Sequence, residues 1–314
     1  MSFSFTATLV TYVLENWKLL LAVFIIWKIL RFIYTNFLRK RLNLLSRYGQ
    51  DSWALVTGAT DGIGKALCEE LAKEGFNIIL VSRTLLKLKN VSADLMKINP
   101  KIKTHLIEYD FNIKNKLEDY LVAFGNLQEK YDISILINNV GLDHHNTFDR
   151  VKIDHIYSML NLNVIPQTLL TKILLNGMNA RKERSCVISL SSFAGEFPFP
   201  MKSLYSATKI FNHYLSVALD EEMKSTNKID WLSVKPLEVE TVMSTTKADG
   251  FSVITAKQCA SCILNDLGYE NETYTHWAHK FQAALLKYVP KFLLYQVFRR
   301  FWFKIFIKRD EKLE

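Results

Sequence analysis

The stretch Trp53-Ala54-Leu55-Val56-Thr57-Gly58-Ala59-Thr60-Asp61-Gly62-Ile63-Gly64-Lys65 decides the fold. A run of strand formers ends on Thr57, three glycines follow within seven residues, and a helical pattern opens near Lys65. Glycine permits a tight turn and lets backbone N–H groups come close to a ligand. A helix N-terminus adds a favourable field for an anion. A strand that runs through such a turn into a helix can cradle a dinucleotide diphosphate. Gly58, Thr60, Asp61, Gly62, Ile63 and Gly64 are therefore candidate cofactor-binding residues.

Outward from this turn, short apolar runs alternate with longer helical ones. Strands are expected at residues 53–56, 78–82, 104–109, 133–137, 187–191 and 229–234, and helices at 65–74, 154–178 and 204–223. Continuously apolar strands, each followed by a helix, imply an α/β fold: a doubly wound parallel sheet covered on both faces. The second strand ends Val81-Ser82-Arg83-Thr84. An acid at that point would bind the ribose hydroxyls, whereas an arginine accommodates a 2′-phosphate, so Arg83 favours NADPH/NADP over NADH. Tyr205 and Lys209 are four apart in a helical pattern and project from one face. A phenol titrates near pH 10. An adjacent ammonium, joined by a positively charged nicotinamide, is expected to lower that value and ready Tyr205 for proton exchange.

Several motifs in order resemble the signature set of the short-chain dehydrogenase/reductase family: Thr57-Gly58-x-x-x-Gly62-Ile63-Gly64, Asp110 after the third strand, Asn138-Asn139-Val140-Gly141 after the fourth, and Tyr205-x-x-x-Lys209. The resemblance covers roughly residues 53–267 and implies a Rossmann-type, NADP-binding oxidoreductase. It implies that Asp110 contacts the adenine amine and that the Asn138 segment backs the cofactor. Tyr205 and Lys209 fall at the family's catalytic positions and also contact the cofactor. Ser192, thirteen residues before Tyr205, matches the serine that polarises the substrate carbonyl, and Asn163 the asparagine whose helix bends around a water leading to the lysine. Val239 and Thr241 match the cofactor loop after the sixth strand, where Leu237 replaces the family's usual glycine. No metal ligand set is expected.

Composition adds a membrane. Of 314 residues 49% are hydrophobic, and 40 basic residues against 31 acidic give a net charge of +9. Much of that excess flanks the most apolar stretches, as at Arg39, Lys40 and Arg41, which suits a lipid surface better than nucleic acid, for which no motif is present. Residues 12–30 are expected to form a transmembrane helix with the basic side and the catalytic domain in the cytoplasm. A cleaved signal peptide fits poorly, because the basic residues follow the apolar run. The aromatic and basic tail near 281–307, with Trp302 and Arg299 among its residues, is expected to lie on the membrane as an amphipathic helix. The expected domains are 1–47 (anchor and basic flank), 48–270 (NADP-binding domain) and 271–314 (tail). The four cysteines are expected to be reduced and structural.

The apolar anchor, the Ala59-Thr60-Asp61-Gly62-Ile63-Gly64-Lys65 run, valine at position 140 and the aromatic tail resemble the branch of very-long-chain 3-oxoacyl-CoA reductases and 17β-hydroxysteroid dehydrogenases. That resemblance implies reduction of a keto group on a hydrophobic acyl-CoA or steroid, in the endoplasmic reticulum membrane. Acyl-CoA is favoured because basic residues near the membrane attract its phosphates. Partners to expect are the lipid bilayer, other fatty acid elongation enzymes and a second copy of the chain as a homodimer. A non-catalytic scaffold of an elongation complex is the alternative of a different class.

Overall fold

The computed structural model describes residues 2–244, 246–297 and 300, with side chains from Asn16 onward. The chain divides into two compact units, 1–41 and 42–314. In the first, helix α1 (Ser2–Ile33) continues into a π-helical turn, Tyr34–Leu38. Asn16–Leu38 is long and apolar enough to cross a membrane: 23 residues at 1.5 Å each reach about 35 Å, against about 30 Å of hydrocarbon. None of this segment is buried, and Leu19, Val23, Ile26 and Leu30 present bare apolar surface. Lys28 sits over the Phe24 and Trp27 rings, 5.2 and 5.3 Å from their centroids. Helix α1 covers the whole of the 12–30 expected, and the turn that follows it ends just before the basic cluster at Arg39.

The second unit opens with α2 (Leu44–Tyr48), followed by β1 (Trp53–Thr57), α3 (Gly62–Glu74), β2 (Asn77–Ser82), α4 (Leu85–Ile98) and β3 (Thr104–Glu108). Next come α5 (Leu117–Phe124), α6 (Leu127–Lys130), β4 (Ile133–Asn138), α7 (Ile153–Asn163), α8 (Ile165–Ala180), β5 (Ser185–Leu190), α9 (Ser203–Glu222) and β6 (Ile229–Val234). A small parallel pair, β7 (Glu238–Glu240) and β8 (Val253–Thr255), precedes α10 (Ala256–Asp266), β9 (Glu272–Thr273) and α11 (Trp277–Tyr288). The seven-stranded sheet has the order β3-β2-β1-β4-β5-β6-β9, and each pairing is parallel. Strand order reverses between β1 and β4, so their C-terminal ends flank the crevice where ligands bind in such sheets.

Alternate strand residues feed two cores. Ala54, Val56, Ile78, Leu80, Ile135 and Ile188 pack with α2, α3, α4 and α10. Leu55, Ile79, Val81, Leu136 and Val187 pack with α5 and α8 on the other face. The sheet is therefore doubly covered, as its unbroken apolar strands require. The chain beyond residue 270 departs from expectation. Glu272 and Thr273 pair with Ser233 and Val234, and Ala278, His279 and Ala283 of α11 are buried, so the catalytic unit takes in at least the first part of the expected tail. At the other end Leu44 and Tyr48 are fully buried, which moves the start of the domain upstream of residue 48. Backbone at 291–297 is helical, and Trp302, Phe303 and Phe306 lie outside the described residues. Cys68, Cys186 and Cys259 are buried thiols, and Cys262 is half-buried.

Candidate active site

Asn139 organises the glycine turn. Its Nδ2 donates to the carbonyls of Thr57 (2.9 Å) and Gly58 (3.2 Å), while Thr57 Oγ1 accepts from the N–H groups of Asn139 and Val140 at 2.9 and 3.1 Å. The end of β4 is thereby stitched to the end of β1. A Cβ on Gly64 would lie 2.3 Å from Gly58 O and 2.4 Å from Asn139 Nδ2. Gly58 and Gly62 have φ of +63° and +51°, where a side chain is strained. Thr241 packs over Gly62, its Cγ2 2.9 Å from where a Cβ would stand, which brings the loop after β6 onto the turn. Such a cradle, closed to side chains and lined by backbone at the start of α3, fits a dinucleotide diphosphate.

The other cofactor candidates surround it. Asp61 caps α3, accepting from Gly62 N at 2.6 Å. Half-buried Ile63 packs against the core behind the turn. Thr60 Oγ1 bonds Ser82 Oγ at 2.9 Å, setting the turn beside the end of β2, where Arg83 is exposed. Asp110, just after β3, accepts from Asn112 N at 2.9 Å and holds its own turn. Val239 is buried in β7. Asn138 differs from expectation: its side chain is buried and donates to Thr171 of α8 at 3.0 Å, away from the glycine turn. Neighbouring strand residues point to opposite faces, so Asn139 is the side chain on the cofactor side.

The catalytic candidates converge at the ends of β4 and β5. Asn163 ends α7, and its amide accepts from Leu142 N (2.7 Å) and donates to Leu142 O and Thr208 Oγ1 (both 2.9 Å). The helix expected at 154–178 breaks here, with Val164 between α7 and α8. A Cβ on Gly141 would meet Asn163 Oδ1 at 3.2 Å and Lys209 Nζ at 3.4 Å, so a side chain there would crowd both groups. Buried Lys209 donates to Leu190 O at 2.8 Å and stands 5.6 Å from the centre of the Tyr205 ring. Ser191 Oγ turns away, donating to Lys209 O at 2.6 Å, whereas Ser192 Oγ accepts from Ala194 N at 3.1 Å and lies near enough to the Tyr205 phenol to act on its titration.

The electrostatics of the chain alone set the state from which a cofactor's charge would act. The Tyr205 phenol is held above its ordinary value, by burial first and by the Asp143 carboxylate next, with the Ser192 hydrogen bond opposing. Burial lowers Lys209 to about 8, Asp143 opposing. In the protein alone the pair is thus a neutral phenol beside an ammonium that stays charged at pH 7, and not a pre-formed phenolate. A phenol with a bound proton is an acid ready to donate.

Three further residues were not legible. Leu237 N donates to His279 Nδ1 at 3.3 Å, so a histidine from the expected tail holds the loop where the glycine is replaced; burial lowers that imidazole to about 4, which keeps it neutral and able to accept. Asp143 and Lys202 pair at 2.8 Å across the cleft mouth. Among the described residues one group, Glu196, His213 and Glu272, has ligand-type atoms within 4.8 Å of one another. Buried Lys235 bonds Glu196 and, at 2.5 Å, Glu272, so an ammonium already supplies the positive charge there. A cavity of about 360 Å³ uses Ile210 and Tyr214 of α9, a different face from Tyr205 and Lys209, and does not serve the reacting groups.

A profile described as short chain dehydrogenase matches residues 52–250. The chain is similar to a protein of Coccidioides immitis named very-long-chain 3-oxoacyl-CoA reductase, 34% identical over 81% of this chain and 74% of the relative. It is similar too to a human protein named inactive hydroxysteroid dehydrogenase-like protein 1, 33% identical over 85% of this chain and 80% of the relative. In fold it resembles a short-chain dehydrogenase from Sphingobium yanoikuyae in complex with NADPH, with a TM-score of 0.64, 23% identity, and coverage of 76% of this chain and 96% of that one.

Proposed function

The chain belongs to the short-chain dehydrogenase family of oxidoreductases, and on that premise we propose that it is an NADPH-dependent reductase of a keto group on a long-chain 3-oxoacyl-CoA. The observation that carries the reading is the convergence of Ser192 and Lys209 on a protonated Tyr205, beside a glycine cradle that fits a dinucleotide. NADPH, when bound, supplies a hydride to the keto carbon. Ser192 Oγ and the Tyr205 hydroxyl both reach one carbonyl oxygen and stabilise the charge that develops on it. Tyr205 gives its proton to that oxygen, forming the alcohol. Lys209, fixed by Leu190 O, stabilises the resulting phenolate, and Asn163 holds the 141–142 segment beside Lys209. Exposed Arg83, which makes no ion pair among the described residues, supports selection of a 2′-phosphate.

Acyl-CoA is preferred to a steroid because the net positive charge suits a polyanionic substrate, and a similar relative carries the name of an acyl-CoA reductase. A similar relative is named inactive, so the claim of turnover rests on this chain's own Tyr205, Lys209 and Ser192. The exposed apolar helix supports a site at a membrane, and we place the enzyme in the endoplasmic reticulum with its catalytic unit in the cytoplasm, beside other fatty acid elongation enzymes. The test is NADPH oxidation by the purified full chain with long-chain 3-oxoacyl-CoA, a 17-ketosteroid and NADH controls. Tyr205→Phe should cut turnover at least about 100-fold while NADPH affinity stays within a few-fold. Turnover of the steroid alone transfers the reading to hydroxysteroid dehydrogenation; full activity in Tyr205→Phe removes the mechanism.

A further inference from the structure

Asp143 lies two residues past the glycine that faces Lys209, and the reaction above gives it no task. Its Oδ2 is 2.8 Å from Lys202 Nζ and 3.7 Å from His145 Nε2, and its Oδ1 accepts from His144 N at 2.7 Å. The carboxylate is 11% exposed and the Lys202 side chain 19%, so water screens the pair only partly. Lys202 Nζ in turn stands 5.4 Å from the centre of the Tyr205 ring. Two ammonium groups, Lys202 and Lys209, thus stand near the Tyr205 ring, and Asp143 is bonded to the first. Met201, beside Lys202, has φ of +67°, a strained value for a side chain. Its carbonyl accepts from Asn146 N at 2.9 Å. The two loops are thus clipped together twice, by charge and by backbone, and strain of this kind persists where its surroundings over-determine it.

We propose, resting on the reductase reading, that Asp143 is a positioning residue that holds Lys202 beside Tyr205 and offsets that ammonium's charge at the phenol. The groups acting on or standing near the phenol are Ser192 after β5, Lys202 before α9, Lys209 on α9, Asp143 on the 141–147 loop and Glu238 on β7, with His145 beside Asp143. Burial, opposed by Asp143, lowers His145 below its ordinary value, so it adds little charge near neutrality. After burial, Asp143 leads the charged groups acting on Tyr205. Asp143→Asn keeps acceptors for Lys202 and His144 N while removing the charge. Lys202→Met does the reverse and leaves the carboxylate uncompensated. The two variants must therefore move the phenol in opposite directions, which a packing role would not do.

The experiment titrates the full chain with NADP bound, reading near-ultraviolet phenolate absorbance after rapid pH jumps, with Tyr205→Phe as blank. The Asp143→Asn midpoint should fall by about one unit or more relative to the parent, and the Lys202→Met midpoint should rise. An unmoved Asp143→Asn, or both variants moving the same way, overturns the proposal. If Asp143→Asn fails to fold, Lys202→Met decides alone: a rise supports the assignment, and no rise defeats it. The titration needs no ketone. Opposite shifts without any turnover would sink the reductase reading and leave the charge arrangement standing, whereas turnover with unmoved midpoints would do the converse.

Discussion

One methyl group separates Gly64 from alanine, and the turn has no space for it. The added carbon would fall 2.3 Å from a backbone oxygen and 2.4 Å from the Asn139 amide that braces the turn. One neighbour is backbone and the other is a side-chain amide held by two hydrogen bonds, so β1, β4 or α3 must shift. Overpacking of that sort costs about 1–3 kcal/mol, and if it falls on the bound conformation it weakens binding by about tenfold or more. Gly64→Ala should therefore raise the NADPH dissociation constant at least tenfold in a fluorescence titration, with a folded circular dichroism spectrum; undiminished affinity would show that the cradle is not the diphosphate site. The glycine positions, Ser192, Tyr205 and Lys209 were legible because each stands at a fixed offset from a strand end or helix face. Asn139 and Asn138 were not separable, since sequence alone places both at the end of β4 and cannot say which faces the crevice. Asp143, Lys202 and His279 were illegible for another reason: their partners lie 59, 59 and 42 residues away along the chain.

At the scale of elements, strands of unbroken apolar residues announced themselves, and the ends of 229–234 matched to the residue. β9 did not, being two polar residues long and recognisable only from its pairing with β6. The break between α7 and α8 carried a signal in Pro166, a residue suited to the first turn of a new helix. Less foreseeable is how α2 is tied down. Arg47 Nε and Tyr48 Oη of α2 donate to Asp230 Oδ2 of β6 at 2.6 and 2.8 Å, and Arg184 Nη2 donates to Oδ1 at 2.6 Å. Burial raises the Asp230 carboxyl, but the hydrogen bonds from Arg47, Arg184 and Tyr48 outweigh it and leave the value below the ordinary range. A carboxyl lowered in the folded state stabilises above its unfolded value, about 3.9, and loses that contribution as pH falls toward the folded one. Asp230→Asn should cost about 1–3 kcal/mol at pH 7 in urea denaturation. Below about pH 4 the gap between parent and variant should close; a gap that persists on acidification would mean that packing, and not the charge, is what Asp230 contributes.

For the whole molecule, the decisive question is where the anchor ends and the enzyme begins. The basic cluster suggests a boundary near residue 47 from charge alone, because flanking cations mark membrane ends. Packing sets it earlier, since the chain divides after residue 41, and Leu44 and Tyr48 are both fully buried among core residues of the second unit. The two boundaries make different predictions for truncation. Removal of residues 1–41 takes away the exposed apolar segment and leaves the core intact, so the remaining chain should move from the membrane to the supernatant on fractionation and keep NADPH binding. Removal of residues 1–48 also deletes two buried side chains and the Arg47–Asp230 pair. Loss of a buried leucine or aromatic costs about 2–5 kcal/mol each, a large share of the 5–15 kcal/mol that holds a domain together, so the longer truncation should aggregate or melt well below the shorter one. Equal melting of the two would restore the boundary that charge suggests. Retention of the shorter truncation on membranes would instead assign lipid contact to the catalytic unit itself, whose own apolar surface includes Ile113, Leu117 and Leu121 along one exposed face.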